Sequence, residues 1–230
     1  MPKTNKIKLL KPRMLAKGAV VPKTRASRGP VSFEGKDTLE RDRHINVPFA
    51  TYAREFADLS PRNEYIIVVM EGPQGKTTTA LRDIGGFSLR QIIAFTGNRR
   101  DYELLKSTGL TMRKRCTMSD KFYTITGLLG AHAIYLHDSM QNGCAVFEDI
   151  KLILLQKHKT IGVGVNMTTR CPDKCHRSVE TRESEAEIFE ENVTEFALKQ
   201  GYWVSHRRMQ RYKRMQPYWF NFYKIDDACQ

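Results

Sequence analysis

YIIVVM, Tyr65 to Met70, runs directly into EGPQGKTTTALRDI, Glu71 to Ile84. The first six residues are continuous, apolar and largely β-branched, the pattern of a strand buried on both faces. Gly72, Pro73 and Gly75 then make a turn, and Thr77, Leu81 and Ile84 recur at helical spacing. Strand, glycine turn, Lys-Thr and helix are the context that a phosphate-binding loop requires. Backbone N–H groups in such a turn and at a helix N-terminus favour an anion. The expected nucleotide ligands are therefore Gly72, Gln74, Gly75, Lys76, Thr77 and Thr78. Lys76 would reach the terminal phosphates and the Thr77 hydroxyl would coordinate Mg²⁺. The spacing departs from the standard pattern: two residues separate Gly72 from Gly75, where the standard loop has four before its Gly-Lys. Pro73 removes one more donor. A tight strand-to-helix turn with an incidental lysine is the plainer reading of the same residues.

The chain around this segment has 230 residues, 40% hydrophobic and 27% charged. That supports one domain with a real core and excludes collagen-like, mucin-like and fully disordered classes. No uncharged apolar run approaches ~20 residues, so no transmembrane helix is expected. The first residues lack the apolar block of a secretory signal. Five cysteines (Cys116, Cys144, Cys171, Cys175 and Cys229) at irregular spacing read as free thiols in an intracellular, reducing compartment.

The formal charge is +13, and residues 1–30 supply +9 of it, with six Lys, three Arg and no acid. This tail, which includes Lys3, Lys6, Lys8, Lys11 and Arg13, has too few large apolar side chains to offset its ordering entropy. Three readings stand: a solvated terminus, a basic arm on the phosphates of RNA or DNA, or a mitochondrial presequence in place of a cytoplasmic location. Residues 31–64 form a transition segment, in which VPFATYAREF fits one short helix. Residues 65–230 make the main domain.

From Tyr65 onward the chain resembles the thymidylate kinase and deoxynucleoside kinase group of P-loop kinases, in four blocks over residues 65–228. The first is VVMEGPQGKTTT. The second, CTMSDKFYTITGLLGAHA, Cys116 to Ala133, resembles the family's third strand and its Asp-Arg-aromatic ending, here Asp120, Lys121 and Phe122. The third, from Thr160 to Leu198, resembles the fourth strand, a lid with arginines (here Arg177 and Arg182) and an acidic helix. The fourth, WFNFYKIDDA, resembles the last strand. The resemblance implies a three-layer α/β P-loop kinase-like fold, with a mainly parallel sheet and helices on both faces. It also implies ATP and Mg²⁺ as cofactors and transfer of the γ-phosphoryl to a nucleoside or nucleoside monophosphate. Lys76, Asp120, Arg177 and Arg182 would carry the catalysis, and Lys121 and Arg99 would hold the acceptor. The chain departs from the family in its shortened loop and in TGNRRDYE after the second strand, where Asp101 or Glu103 is either a general base or a helix-surface charge.

Other groupings are less specific. Cys171, Cys175 and His176 lack the second ligand pair that a zinc site needs. His132 and His137 fall within an apolar pattern of helical spacing from Phe122 to Leu136. Residues 206–219, HRRMQRYKRMQPYW, carry Arg207, Arg208, Arg211, Lys213 and Arg214 with no acid and with interleaved aromatics. Basic residues among aromatics suit RNA, where cations meet phosphate and rings stack on bases, while the plainer reading of the same residues is a helix followed by a buried strand whose aromatics are core. Two functions follow: a nucleoside or nucleotide kinase, or a kinase-like domain that has lost catalysis and serves as a nucleic-acid-binding or structural subunit of a larger protein or ribonucleoprotein assembly.

Overall fold

The computed structural model describes residues 38–62, 64–72, 74–96, 99–107, 111–114, 132–168, 179–212 and 215–225. Among the described residues, seven strands make one sheet: β1 (Tyr65–Met70), β2 (Ile92–Thr96), β3 (Thr111–Lys114), β4 (His132–Gln141), β5 (Thr160–Thr168), β6 (Tyr202–Arg208) and β7 (Met215–Lys224). Their order is β3-β2-β1-β4-β5-β7-β6. The first five are parallel. β7 is antiparallel to both β5 and β6. YIIVVM is a central strand, as its unbroken apolar character requires: Ile67 and Val69 are fully buried towards one face and Val68 is buried towards the other.

Helices cover both faces, so the fold is three-layer α/β with a mainly parallel, mixed sheet. On one face lie α1 (Thr38–Arg41), a π-turn at Asp42–Asn46, α2 (Val47–Asp58) and α3 (Lys76–Asp83). Phe49, Phe56 and Leu81 from this layer pack on Ile67, Ile134, Leu136 and Trp219. On the other face, α5 (Gly143–Leu154) and α6 (Val179–Lys199) place Val146, Ile150, Phe189 and Val193 against Val163, Val165 and Phe220. α4 (Arg99–Lys106) follows β2. Each fully buried Leu, Ile, Val or Phe contributes about 1.5–3 kcal/mol relative to exposure.

Two glycines set how closely α2 seats. A Cβ on Gly162 would lie 2.9 Å from Phe56 and 3.0 Å from Trp219, and one on Gly164 would lie 2.9 Å from Leu136 and 3.1 Å from Phe49. GVGV in β5 therefore presents valines to one layer and bare backbone to the aromatic rings of the other. Residues 38–58 thus belong to the packed body, with VPFATYAREF helical as expected.

Two local readings are corrected. Ala133 to Leu136, read at helical spacing, lies in β4 beside β1, paired from Tyr65↔His132 to Val69↔Leu136. A fully buried strand has no polar alternation to distinguish it from a helix segment. The stretch at 206–208, weighed as helix, is the end of an edge strand. Among the described residues no helix is long and apolar enough to cross a membrane.

Candidate functional site at the carboxyl ends of the central strands

The chain goes to one side of β1 for β2 and β3, and to the other side for β4 and β5. Such a switch point opens a crevice beyond the carboxyl ends of β1 and β4, where open α/β sheets bind ligands. The turn after β1 therefore decides what the crevice takes.

Glu71 closes that turn. Its carboxylate accepts hydrogen bonds from the backbone N–H of Gly72 (3.0 Å), of Thr78 (2.7 Å) and, at 3.4 Å, of Thr77, and from the Thr78 hydroxyl (2.6 Å). The Gly75 N–H donates to the Gly72 carbonyl at 3.1 Å. Gly75 has φ +64°, a left-handed conformation that suits glycine, and α3 begins at the next residue. The donors of Gly75, Thr77 and Thr78 at the start of α3 are thus engaged within the chain. Burial pushes the Glu71 carboxyl above its usual range, and the bonds from Thr78, Gly72 and Thr77 pull it back.

The first helical layer reaches the same place. Lys76 pairs with Asp42 at 2.8 Å. Asn46, buried, donates to the second oxygen of Asp42 at 2.6 Å and accepts from the Thr77 hydroxyl at 3.1 Å. The π-turn puts Asp42 and Asn46 on this side of the helix, and such insertions recur at functional sites. Asp138 lies two residues beyond the last β1–β4 pair, level with Glu71. It pairs with Arg41 and accepts from Asn166 of β5 at 3.0 Å. Behind it, His137 and Asp149 are buried 3.0 Å apart. Thr96, also buried, ends β2.

The expected nucleotide ligands therefore come together, but three of their side chains are engaged by other residues of the chain. Lys76 holds Asp42, Thr77 holds Asn46, Thr78 holds Glu71, and Gln74 is exposed. Beside Gly72, a Cβ would meet nothing within 4 Å, so the backbone there faces open space. Arg99 opens α4 and Arg182 lies in α6, with side chains outside the described residues, as are Lys3, Lys6, Lys8, Lys11, Arg13, Asp120, Lys121, Cys171, Cys175, His176, Arg177, Lys213 and Arg214. Arg207 pairs with Glu55 at 3.3 Å and Arg208 with Glu190 at 2.6 Å; Arg211 follows in the β6–β7 turn. No group of three or more His, Cys, Asp or Glu that could hold a metal occurs among the described residues. Sequence reading passed over Glu71, Asp138, Asn166, Asp42 and Asn46. Glu71 directly follows β1, Asp138 and Asn166 lie in the carboxyl-terminal halves of β4 and β5, and a carboxylate directly before a glycine turn was the available signal for Glu71.

No family model matches the sequence, and no curated protein matches it. Solved structures do match. The plantazolicin methyltransferase BamL, crystallised with a triazolic desmethylPZN analog and SAH, aligns with a TM-score of 0.54 at 8% identity, over 82% of this chain and 87% of that one. The plantazolicin methyltransferase BpumL, with a monoazolic desmethylPZN analog and SAH, aligns at 0.54 and 9% identity over the same shares. The likeness is one of fold. It corrects the resemblance to thymidylate and deoxynucleoside kinases: the neighbours are methyltransferases. The P-loop kinase-like fold, ATP, Mg²⁺, γ-phosphoryl transfer and the degenerate-kinase alternative fall with it. The physical reason lies in the turn. An ionised Glu71 about 5 Å from a phosphate opposes it by roughly 3 kcal/mol per unit charge at an effective dielectric of about 20. The N–H groups of Gly72, Thr77 and Thr78, part of any phosphate cradle here, are spent on that same carboxylate.

Proposed function

We propose that this chain is a Rossmann-like methyltransferase that binds S-adenosylmethionine beyond the carboxyl end of β1. The observation that carries the reading is the glycine turn closed by Glu71 at the switch point of a 3-2-1-4-5-7-6 sheet. The ligand's chemistry suits this turn where a triphosphate does not. S-adenosylmethionine carries a sulfonium and an ammonium against a single carboxylate, and the carboxylates at this end of the sheet are Glu71, Asp42 (paired with Lys76) and Asp138 (paired with Arg41). The open space beside Gly72 is what a nucleoside needs to lie against the backbone.

Gly72 and Gly75 give the cofactor its backbone cradle, and Glu71 holds that cradle rigid. Thr96 stands at the end of β2, next to the stretch that faces the ribose in this sheet order. When bound, the cofactor supplies a methyl group made electrophilic by the sulfonium. The chain's part is to orient the acceptor and exclude water. Asp138 lies at the same end of the sheet, its nearly buried carboxylate held by Arg41 on one oxygen and Asn166 on the other, and only its remaining lone pairs would take an N–H or O–H hydrogen bond from an acceptor.

Ultraviolet cross-linking of methyl-tritiated S-adenosylmethionine to the folded chain tests the reading. Label should enter the peptide that contains residues 71–75 and be competed away by S-adenosylhomocysteine, but not by ATP. Label no greater than on the denatured chain would overturn it.

A further inference from the structure

The β6–β7 hairpin turns at the same end of the sheet as the crevice. β7 runs against β5, so Met215 pairs with Thr168, while Arg208 lies opposite Tyr218. β6 is one of the two edge strands of the described sheet. Along its α2 side, Trp203 and Arg207 point the same way, because successive odd positions share a face. Trp203 is 55% exposed and rests against Tyr223 with ring centroids 5.7 Å apart. The Arg207 side chain is 61% exposed and its guanidinium lies 5.1 Å from the Tyr52 ring. At the turn, Tyr212 stacks on His44 of the π-turn, centroids 5.1 Å apart and rings 5° from parallel. One edge thus alternates exposed indole, guanidinium and stacked rings, and it ends beside the crevice.

Charge on this edge is one-sided in sequence: residues 206–214 include five Lys or Arg and no acid. Arg207 meets exposed Glu55 on the α2 side, while Arg208, on the opposite face of β6, meets the largely covered Glu190 of α6. The exposed Arg207–Glu55 pair is worth little and exchanges readily for a phosphate, whose oxygens match the guanidinium fork. An acidic protein would find the same cations but no use for an open aromatic face. A single strand of nucleic acid uses both, through its phosphates and the π-faces of its bases.

We propose that the β6 edge, from Trp203 to the turn at Tyr212, is a docking surface for single-stranded nucleic acid. Arg207 and Arg208 meet the backbone phosphates, and Trp203 stacks on a base. The docked strand leads towards Asp138, so on the methyltransferase reading nucleic acid is the class of acceptor. The docking itself does not depend on that reading, and its test contains no methyl donor.

Fluorescence anisotropy of an end-labelled single-stranded RNA of about 16 nucleotides, titrated with the full chain at several salt concentrations, provides the test. Arg207→Gln with Arg208→Gln removes two phosphate contacts. The slope of log K against log salt should flatten by ~1.4, and affinity at about 0.1 M salt should fall ~25-fold. Arg207→Lys with Arg208→Lys keeps the charge and should keep the slope. Trp203→Ala should weaken binding about tenfold with the slope unchanged, since stacking releases no counterions. Arg62→Gln with Arg90→Gln removes the same charge just before β1 and β2, at the opposite end of the sheet, and should change nothing. Equal losses in the two glutamine double variants would overturn the proposal in favour of bulk charge. Displacement of the RNA by polyglutamate at equal charge would overturn it in favour of an acidic protein partner. Melting temperatures of all variants, read alongside, separate lost contacts from lost fold.

Discussion

Replacing Glu71 by Ala removes the acceptor that closes the turn after β1. Three good hydrogen bonds disappear: those from the Thr78 N–H, the Thr78 hydroxyl and the Gly72 N–H, at 2.7, 2.6 and 3.0 Å. The longer contact from Thr77 counts for little. Bonds to a charged acceptor contribute about 1.5–3 kcal/mol each, a gross loss of about 4.5–9 kcal/mol. Against this stands the cost of burying the carboxylate, which shows in its raised pKa. Removing one member of a buried charged network costs about 3–5 kcal/mol. The expected net loss is about 3 kcal/mol, or ~6–12 °C in melting temperature for a domain of this size. Urea unfolding of wild type and variant measures it. A second effect follows from the same geometry. With the carboxylate gone, the N–H groups at the start of α3 form an open anion site. Inorganic phosphate at ten times its dissociation constant should then stabilise Glu71→Ala by about 1.4 kcal/mol and leave the wild type nearly unaffected. A destabilisation below about 1 kcal/mol, or equal phosphate responses in the two proteins, would refute the assignment of Glu71 as the internal counterpart of the turn.

Four more outcomes are expected. Lys76→Ala breaks a half-exposed pair with Asp42 and should cost no more than about 1 kcal/mol in urea unfolding. Gly162→Ala drives a methyl group into Phe56 and Trp219 and should cost about 1–3 kcal/mol, read in the same assay. Asp138→Asn removes the charge that holds Arg41 and should release the α1 end of the helical layer, seen as faster amide exchange at residues 38–46 with little change around β7. Burial raises the Tyr202 hydroxyl to about 12, and its proton bonds the His158 carbonyl at 2.7 Å. The unfolded chain therefore loses this proton first as pH rises from about 10. Stability should fall between about pH 10 and 12, and the Tyr202→Phe variant should show a shallower fall over that window.

The β1–turn–α3 unit was readable because each of its parts carries a local signal: an apolar β-branched run, glycines that permit the turn, and threonine and leucine at helical spacing. What the turn binds was not readable from those signals. A backbone N–H group has no sequence mark for its acceptor, so GKTT invites a phosphate while the donors are spent on the carboxylate one residue upstream of the glycine. The two-residue shortfall between Gly72 and Gly75 was the informative departure, since it leaves a turn tight enough for the Gly75 N–H to reach the Gly72 carbonyl. The rest of the site comes from distance in sequence. Asp42 meets Lys76 across 34 positions and Arg41 meets Asp138 across 97. β4 escaped notice because a strand buried on both faces repeats no polar position. The basic, aromatic stretch at 206–214 was visible by composition alone. Its place beside the crevice needed the antiparallel return of β7.

Calorimetric titration of the wild-type chain and of Gly72→Val with S-adenosylhomocysteine, with Mg²⁺–ATP as the comparison ligand, tests the central claim most directly. A side chain on Gly72 points into open space, so the fold should keep its melting temperature while the cradle is filled. The account predicts saturable, one-to-one binding of S-adenosylhomocysteine to the wild type, loss of that binding in Gly72→Val, and no saturable heat with Mg²⁺–ATP in either protein. Saturable binding of Mg²⁺–ATP without any binding of S-adenosylhomocysteine would contradict it.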